Sequence, residues 1–296
     1  MAIKERHLRN ATLPVAILCG LLFHKFLSSF YPLVPWLLAA MMLQTCTKIS
    51  ISKMRVRRVH LMLLAVQVFV SIGLYLAVRN INEPLAQGLM ICVFTPVATA
   101  SPVVGALLGA DVTLMTTYVL LSNITTAVLA PFVFSYINPG ADITFVSSFL
   151  RIMQKTMLLL VFPMLLSWLM EKFTPKAHKA VKDSQYASFY LWAVCMMVLI
   201  GSALHSIMTS PDTDLKMDII MAVCALVLCI VLFSLGRFFG KRYGDMIAIR
   251  QMLGQKNTGA GVWMTLSFLN PVASVVPTAY IVWQNIMNSI EIARKD

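Results

Sequence analysis

The chain has 296 residues, of which 59% are hydrophobic and 12% are charged, and its mean hydropathy is +0.80. This much apolar surface needs lipid to cover it, which excludes a soluble domain. The net charge of +12 could suggest a nucleic-acid partner. However, the basic residues lie in short gaps between apolar runs rather than on one amphipathic face. Membrane topology explains them better, and we expect no nucleic-acid partner.

Apolar runs long enough to cross a bilayer, about 17–25 residues each, predict a polytopic membrane protein. The ten predicted spans cover approximately 10–27, 32–48, 60–78, 85–108, 112–136, 148–170, 187–208, 217–236, 245–269 and 271–291. The gaps alternate in charge, and those on one side carry only Lys25, Arg79 and Lys216. By the positive-inside rule, both termini are cytoplasmic. We interpret the first run as a span rather than a removed leader, because no small-residue cleavage site follows it.

Catalytic and metal-binding patterns are missing from the sequence. The six cysteines all fall inside predicted spans, and neither they nor the five histidines show the spacing of metal ligands. There is no GxSxG, HExxH or phosphate-binding loop, so a hydrolase or an ATP-driven pump has no support. We therefore expect a protein that is not an enzyme and that has no cofactor and no metal site.

The fourth and ninth predicted spans are each interrupted midway. The fourth carries Thr95–Pro102, whose two prolines remove backbone donors and push the preceding residues out of the helical region. The ninth carries Gly254–Gly259 with Lys256 inside it, and a lysine at bilayer depth costs about 2.5–3.5 kcal/mol. There is one break in each half of the chain, and the second half begins on the opposite side of the membrane. Breaks at corresponding positions of inverted halves are typical of the midplane site of a secondary transporter.

Polar side chains near the breaks are candidates for a substrate site. We expect Thr99, Ser101, Asn257 and Thr258 to line it, the alternative being that they only cap free backbone groups. Arg151 and Lys155, which open the sixth span, either snorkel to the membrane interface or attract anions to the outer mouth.

Several motifs resemble those of the bile acid:sodium symporter family, in matching order from about residue 32 to residue 285. They are Pro35-Trp36-Leu37-Leu38, Pro96–Ser101 followed by Gly109–Leu114, Gly254–Gly259, and Pro277 with Trp283-Gln284-Asn285. The resemblance implies an all-α polytopic fold of ten transmembrane helices in two inverted five-helix repeats. These repeats would cover about 10–136 and 148–291, within a single transporter unit of residues 1–296.

The resemblance also implies an arrangement of the spans and a place for the substrate. Spans 3–5 and 8–10 would form a core domain with crossing broken helices 4 and 9, and spans 1, 2, 6 and 7 a panel domain. Small organic anions would bind between core and panel, beside the crossing. The implied substrate-binding residues are Thr99, Ser101, Pro102, Asn257, Thr258 and Asn285. We expect a monomer in the lipid bilayer of a bacterial inner (plasma) membrane.

The sodium sites of the family are where this sequence departs from it. The positions equivalent to the first site are Ser101, Pro102, Met115, Val119 and Met252, of which only Ser101 has an oxygen in its side chain. Sodium is a hard cation that needs several oxygen ligands. We therefore predict that this site is absent.

At the second sodium site, Gln67 matches the family and Met252 replaces a glutamate. Leu253 and Gln255 could still offer carbonyls, and Lys256 falls where the family has a glutamine. An ammonium among carbonyls acts electrostatically as a bound monovalent cation does, and it repels a second cation. We therefore predict that Lys256 takes the place of sodium.

Three roles for Lys256 remain open from the sequence. It could tie the two breaks together by binding carbonyls and Gln67, carry a proton, or contact a substrate carboxylate. The predicted function is sodium-independent transport of an organic anion that is bile acid-like or resembles pantoate or a keto acid. The alternatives are a sodium- or proton-coupled symporter of the same substrates, and a non-transporting sensor.

Overall fold

The computed structural model describes residues 15–48, 54–137, 145–210 and 214–293, and within them the regular structure is helical apart from one isolated β-bridge. The helices are α1 (15–22), α2 (His24–Ser28), α3 (Val34–Cys46), α4 (Arg58–Ala65), α5 (Ser71–Val78), α6 (Glu83–Phe94), α7 (Ser101–Leu108), α8 (Val112–Ile137), α9 (Phe145–Thr156), α10 (Phe162–Phe173), α11 (Pro175–Asp183), α12 (Gln185–Thr209), α13 (Leu215–Tyr243), α14 (Met246–Gly254), α15 (Thr258–Phe268) and α16 (Val275–Ala293). The predicted start of the first span, 10–14, and the two predicted cytoplasmic termini lie outside the described residues.

Membrane-spanning helices confirm the predicted class, an all-α polytopic membrane protein. In the described part of the chain, five helices are long and apolar enough to cross a bilayer: Arg58–Val78, Val112–Ile137, Val146–Phe173, Tyr190–Thr209 and Leu215–Tyr243. Tyr31–Cys46 and Glu83–Phe94 are apolar but shorter. The predicted fourth and ninth spans are each divided into two half-helices, α6 with α7 and α14 with α15, so neither forms one long helix.

Several irregularities were not predicted from the sequence. π-helical turns at Val66–Val70 and Met157–Val161 join α4 to α5 and α9 to α10. Neither turn contains the proline or glycine that usually signals a helix distortion. The gap predicted between the sixth and seventh spans contains α11, which begins with Pro175 in the first turn, a favourable position for proline.

Close backbone contact at Gly236 holds α13 against α14. A β-carbon added to Gly236 would lie 2.5 Å from the α-carbon of Arg250 and 2.9 Å from the carbonyl oxygen of Ile249. Both contacts are with backbone atoms, which cannot move aside as a flexible side chain can. Hence α14, the first half of the broken ninth span, is positioned by a glycine of the preceding helix.

We expect Gly236→Ala to destabilise the protein by about 1–3 kcal/mol, because overpacking forces backbone shifts. Gly73 in α5 is a matched control, since a β-carbon there would meet nothing within 4 Å. Gly73→Ala should be neutral or stabilising by about 0.5–1 kcal/mol, as expected for alanine in a helix interior. Unfolding temperatures of the two purified variants measure the difference, and equal effects would contradict the packing argument.

Candidate functional site

The break in the fourth span separates α6 from α7. The helix α6 ends at Phe94, and Thr95 then adopts an extended conformation (ψ 145°), as expected of a residue that precedes a proline. The next helix begins at Ser101, with Pro102 in its first turn, where the missing N–H of proline has no cost. The two prolines therefore account for the end of one half-helix and the start of the next.

The break in the ninth span separates α14 from α15. Gln255 is extended after Gly254, the last residue of α14. The side chain of Asn257 caps α15, since its Oδ1 accepts a hydrogen bond from the Ala260 N–H at 3.3 Å. Asparagine is among the best helix-capping residues, so the second half-helix has a local start signal.

The two breaks cross and bind each other through their backbones. Val97 and Lys256 form an antiparallel bridge. The Ala98 N–H donates to the Gln255 carbonyl at 2.9 Å, and the Asn257 N–H donates to the Pro96 carbonyl at 2.9 Å. A broken helix in a membrane leaves backbone groups that must find partners inside the protein. Here each break supplies partners for the other.

Side chains from α8 stabilise the first break. Thr126 Oγ1 donates to the Phe94 carbonyl at 3.2 Å, and Ser122 Oγ accepts from the Val97 N–H at 3.3 Å. Gln67, in the π-helical turn between α4 and α5, also donates to the Phe94 carbonyl, at 2.8 Å. The end of α6 is thus bound from two neighbouring helical segments.

Side chains from α16 stabilise the second break in a similar way. The Tyr280 hydroxyl donates to the Gly254 carbonyl at 2.7 Å, and Gln284 Oε1 accepts from the Lys256 N–H at 2.9 Å. Gln284 Nε2 also donates to Thr258 Oγ1 at 3.1 Å. Each break is therefore bound by a pair of polar side chains four residues apart on the next long helix, which is α8 for the first break and α16 for the second.

The ammonium of Lys256 lies inside this crossing. Lys256 is 1% exposed, and its Nζ donates to the Val93 carbonyl at 2.9 Å, one residue before the end of α6. Within the described residues no carboxylate forms an ion pair with it. The last carbonyls of a helix carry partial negative charge that favours a cation. The end of α6 therefore provides the electrostatic partner of the ammonium.

In one of the three roles left open for Lys256, its ammonium binds both carbonyls and Gln67. The structure, which describes both residues, has no hydrogen bond between the Gln67 and Lys256 side chains. The Gln67 amide donates instead to the Phe94 carbonyl at 2.8 Å and to Thr126 Oγ1 at 2.9 Å. Its Oε1 accepts from the Tyr118 hydroxyl at 3.2 Å. Gln67 and Lys256 thus bind consecutive carbonyls of α6 rather than each other.

The other positions equivalent to the family's sodium sites are buried. Met115, Val119 and Met252 are each at most 1% exposed, and their side chains offer sulfur and methyl groups rather than oxygen. The Met115 sulfur packs so closely on Gly105 that a β-carbon there would overlap it. The Ser101 hydroxyl is buried and has no hydrogen-bond partner among the described residues.

The predicted substrate-binding residues have varied surroundings. Thr99 is partly exposed, whereas Ser101, Pro102 and Thr258 are buried and Asn257 is half-buried. The side chain of Asn257 caps α15, and Thr258 receives a bond from Gln284. The amide of Asn285 donates to the Ile281 carbonyl of its own helix, at 2.6 Å. The structure brings the residues of the breaks together, and the hydrogen bond of the Asn285 amide is to the backbone of its own helix.

A cavity of about 580 Å³ lies apart from these residues, between α3, the segment from α9 to α10, and α15. Its lining includes Tyr31, Trp36, Lys155, Trp263 and Ser267, and none of the six predicted substrate-binding residues. This volume is in the range of small-molecule sites. It lies between helices that the resemblance assigns to the panel (α3, α9 and α10) and to the core (α15), but its lining residues were not predicted, because they come from distant parts of the sequence.

Two side chains at the crossing were also missed from the sequence, Ser122 and Tyr280. The sequence contains a spacing that could have indicated them. Ser122 precedes Thr126 by four residues in α8, and Tyr280 precedes Gln284 by four residues in α16. Residues four apart share one face of a helix. A pair of hydrogen-bonding side chains on one face of an apolar helix indicates a polar partner that faces it.

Crossed broken helices inside an α-helical membrane protein are typical of the class of secondary transporters. The model of the Sodium Bile acid symporter family matches residues 6–210, more than half of the chain. The chain therefore belongs to that family of membrane transporters, which confirms the resemblance found in the sequence motifs. The ninth- and tenth-span motifs lie beyond the matched residues. No curated protein matches the sequence.

Proposed function

We propose that the protein is a secondary transporter of a small or amphipathic organic anion that works by alternating access without sodium. One observation carries the proposal: a buried ammonium, that of Lys256, binds the Val93 carbonyl where the two broken helices cross. In its protonated form, Lys256 places a positive charge where a coupling cation would otherwise act. It also repels a mobile cation at short range.

We further propose ten spans in two inverted five-helix repeats, with the core and panel domains that the family resemblance implies. Contacts at the two ends of the half-helices support this arrangement. The N–H of Asp111, after α7, donates to Asp245 Oδ2 at the start of α14, at 2.7 Å. The N–H of Asn270, after α15, donates to Gln87 Oε1 in the first turns of α6, at 2.8 Å. Each half thus accepts a hydrogen bond from the other near the start of its first half-helix, which supports an inverted relation between the halves.

Two positions equivalent to the family's sodium sites have no oxygen in their side chains, which supports transport without sodium. Met252 replaces the glutamate of the family, and Met115 fills space against Gly105. Thioether and methyl groups are poor ligands for sodium. Sodium- or proton-coupled symport of the same substrates, and sensing without transport, are the competing functions.

The test is uptake of radiolabelled cholate and pantoate into liposomes that contain the purified protein. We expect uptake of at least one anion above that of empty liposomes, with the same rate in sodium and in potassium. Faster uptake in sodium would contradict the proposed role of Lys256. Acceleration by an imposed proton gradient would favour a proton-coupled symporter, and no uptake of either anion would favour the sensor.

A further inference from the structure

The short helix α11 is tied to membrane-spanning segments at both of its ends. Only Thr174 separates it from the span Val146–Phe173, and only Ser184 separates it from α12. The helix α12 leads directly into the span Tyr190–Thr209. Since one extended residue covers at most about 3.6 Å, these connections cannot carry α11 far from the bilayer. The helix therefore stays close to the membrane surface.

The backbone at Thr174 ends the spanning helix α10 and starts α11 as a separate helix. Thr174 has φ −136° and ψ 62°, which lies outside the helical region. Pro175 follows it and occupies the first turn of α11. A residue before a proline is disfavoured in the helical region, so the sequence itself produces this break. Hence α11 is not a continuation of the spanning helix.

Aromatic and basic side chains at the end of α10 mark the membrane interface. Trp168 is 46% exposed and Phe173 is 67% exposed. The Nζ of Lys172 lies 5.6 Å from the centre of the Trp168 ring and 5.4 Å from the centre of the Phe173 ring. Tryptophan is enriched at the level of the lipid headgroups, and lysine on the side next to the cytoplasm. Because α11 begins two residues after Phe173, it lies at the level of the headgroups.

One side of α11 carries a row of lysines. Lys176, Lys179 and Lys182 are exposed and are spaced three residues apart, so they share one side of the helix. None of them forms an ion pair with a carboxylate in the described part of the chain. The one acidic residue of α11 is Asp183. The positive charges of this row are therefore available to an external anion.

The other side of α11 is apolar, and the protein does not cover it. Ala177 and Ala180 are exposed, and Val181 is half-buried. In fact no residue of α11 is buried. A helix with basic residues on one side and apolar residues on the other lies in the plane of the membrane interface. The bilayer can cover the apolar side while the lysines reach the headgroups.

We propose that α11 is an interfacial helix that binds the headgroups of anionic phospholipids through Lys172 and its own three lysines. Anionic headgroups attract clusters of basic residues next to a membrane span, and each residue adds to the attraction. Nucleic acid or an acidic protein would also be attracted to this charge, but the one-residue connections hold α11 against lipid. The inference needs only the membrane class of the protein, and it is independent of the proposed transport function.

The test compares brominated phosphatidylglycerol with brominated phosphatidylcholine in nanodiscs that contain the protein. Bromine quenches tryptophan fluorescence on contact, and Trp168, beside Lys172, reports on lipid at this place. The Trp168→Phe variant gives the share of the fluorescence that comes from Trp168. We expect the wild type to prefer phosphatidylglycerol about tenfold, and the triple variant Lys176→Gln, Lys179→Gln and Lys182→Gln to lose about fivefold of this preference.

A matched control removes the same charge from three exposed lysines elsewhere, Lys25→Gln, Lys155→Gln and Lys216→Gln. It should keep the preference of the wild type, as should replacement of the three α11 lysines by arginine. Equal preference in the wild type and the α11 triple variant would overturn the proposal. An equal loss in the control variant would also overturn it, because the effect would then follow the net charge of the protein.

Salt provides a second measurement that needs no substitution. In 1 M sodium chloride the screening length is about 3 Å, so the preference of the wild type for phosphatidylglycerol should fall to that of the α11 triple variant. A preference that persists undiminished in 1 M salt would contradict binding through the charges of exposed lysines.

Discussion

Replacement of Lys256 by alanine is expected to destabilise the protein by about 2–5 kcal/mol, the range for large-to-small changes in a core. The substitution empties space at a position that is 1% exposed and removes the donor from the Val93 carbonyl. Unfolding temperatures of the purified variants measure this effect. Lys179→Ala on α11 is the control and should change stability by less than about 0.5 kcal/mol, because Lys179 is exposed.

Lys256→Met separates the charge of Lys256 from its packing. Methionine keeps most of the volume, and losing the cost of a buried charge offsets the lost hydrogen bond, so the change in stability should be below about 1.5 kcal/mol. Anion uptake, in contrast, should fall to the level of empty liposomes, since the crossing then has no cation. A Lys256→Met variant that transports as fast as the wild type would show that the charge is dispensable.

The double substitution Met252→Glu with Lys256→Gln is expected to create sodium binding. It restores the carboxylate and the amide that the family resemblance implies at the second sodium site, to which the same resemblance assigns Gln67. Sodium that binds only the folded protein should then raise its stability by about 2.7 kcal/mol at a hundred times the dissociation constant. The unfolding temperature should therefore rise with sodium and not with potassium.

Lys256→Gln alone is the control for the double variant, because it removes the ammonium without adding a carboxylate. It should respond to sodium much less than the double variant. If neither variant responds to sodium, the assignment of Met252 and Lys256 to the positions of the sodium ligands is wrong.

The interruptions of the two spans could be predicted because their signals are local. Pro96 and Pro102 lack backbone donors, and Asn257 caps the helix that begins at Thr258. Each of these effects depends on a few neighbouring residues, which a sequence shows directly. The same is true of the membrane class, which follows from the length and composition of the apolar runs.

The groups that bind Lys256 and the two breaks could not be predicted from the sequence, because they depend on how distant helices pack. The sequence showed that Lys256 needs electrostatic compensation, but its partner is the backbone carbonyl of Val93, 163 positions earlier. A carbonyl group is present at every residue and leaves no mark in the sequence. Tyr31 and Ser267, 236 positions apart, are a similar case.

We propose that the ammonium of Lys256 stands where related transporters bind a coupling cation. Saturation binding of radioactive sodium to the purified wild-type protein tests it most directly, with the double variant Met252→Glu with Lys256→Gln as the positive control. The predicted result is no saturable binding to the wild type and saturable binding to the double variant. Saturable sodium binding to the wild-type protein would contradict the claim.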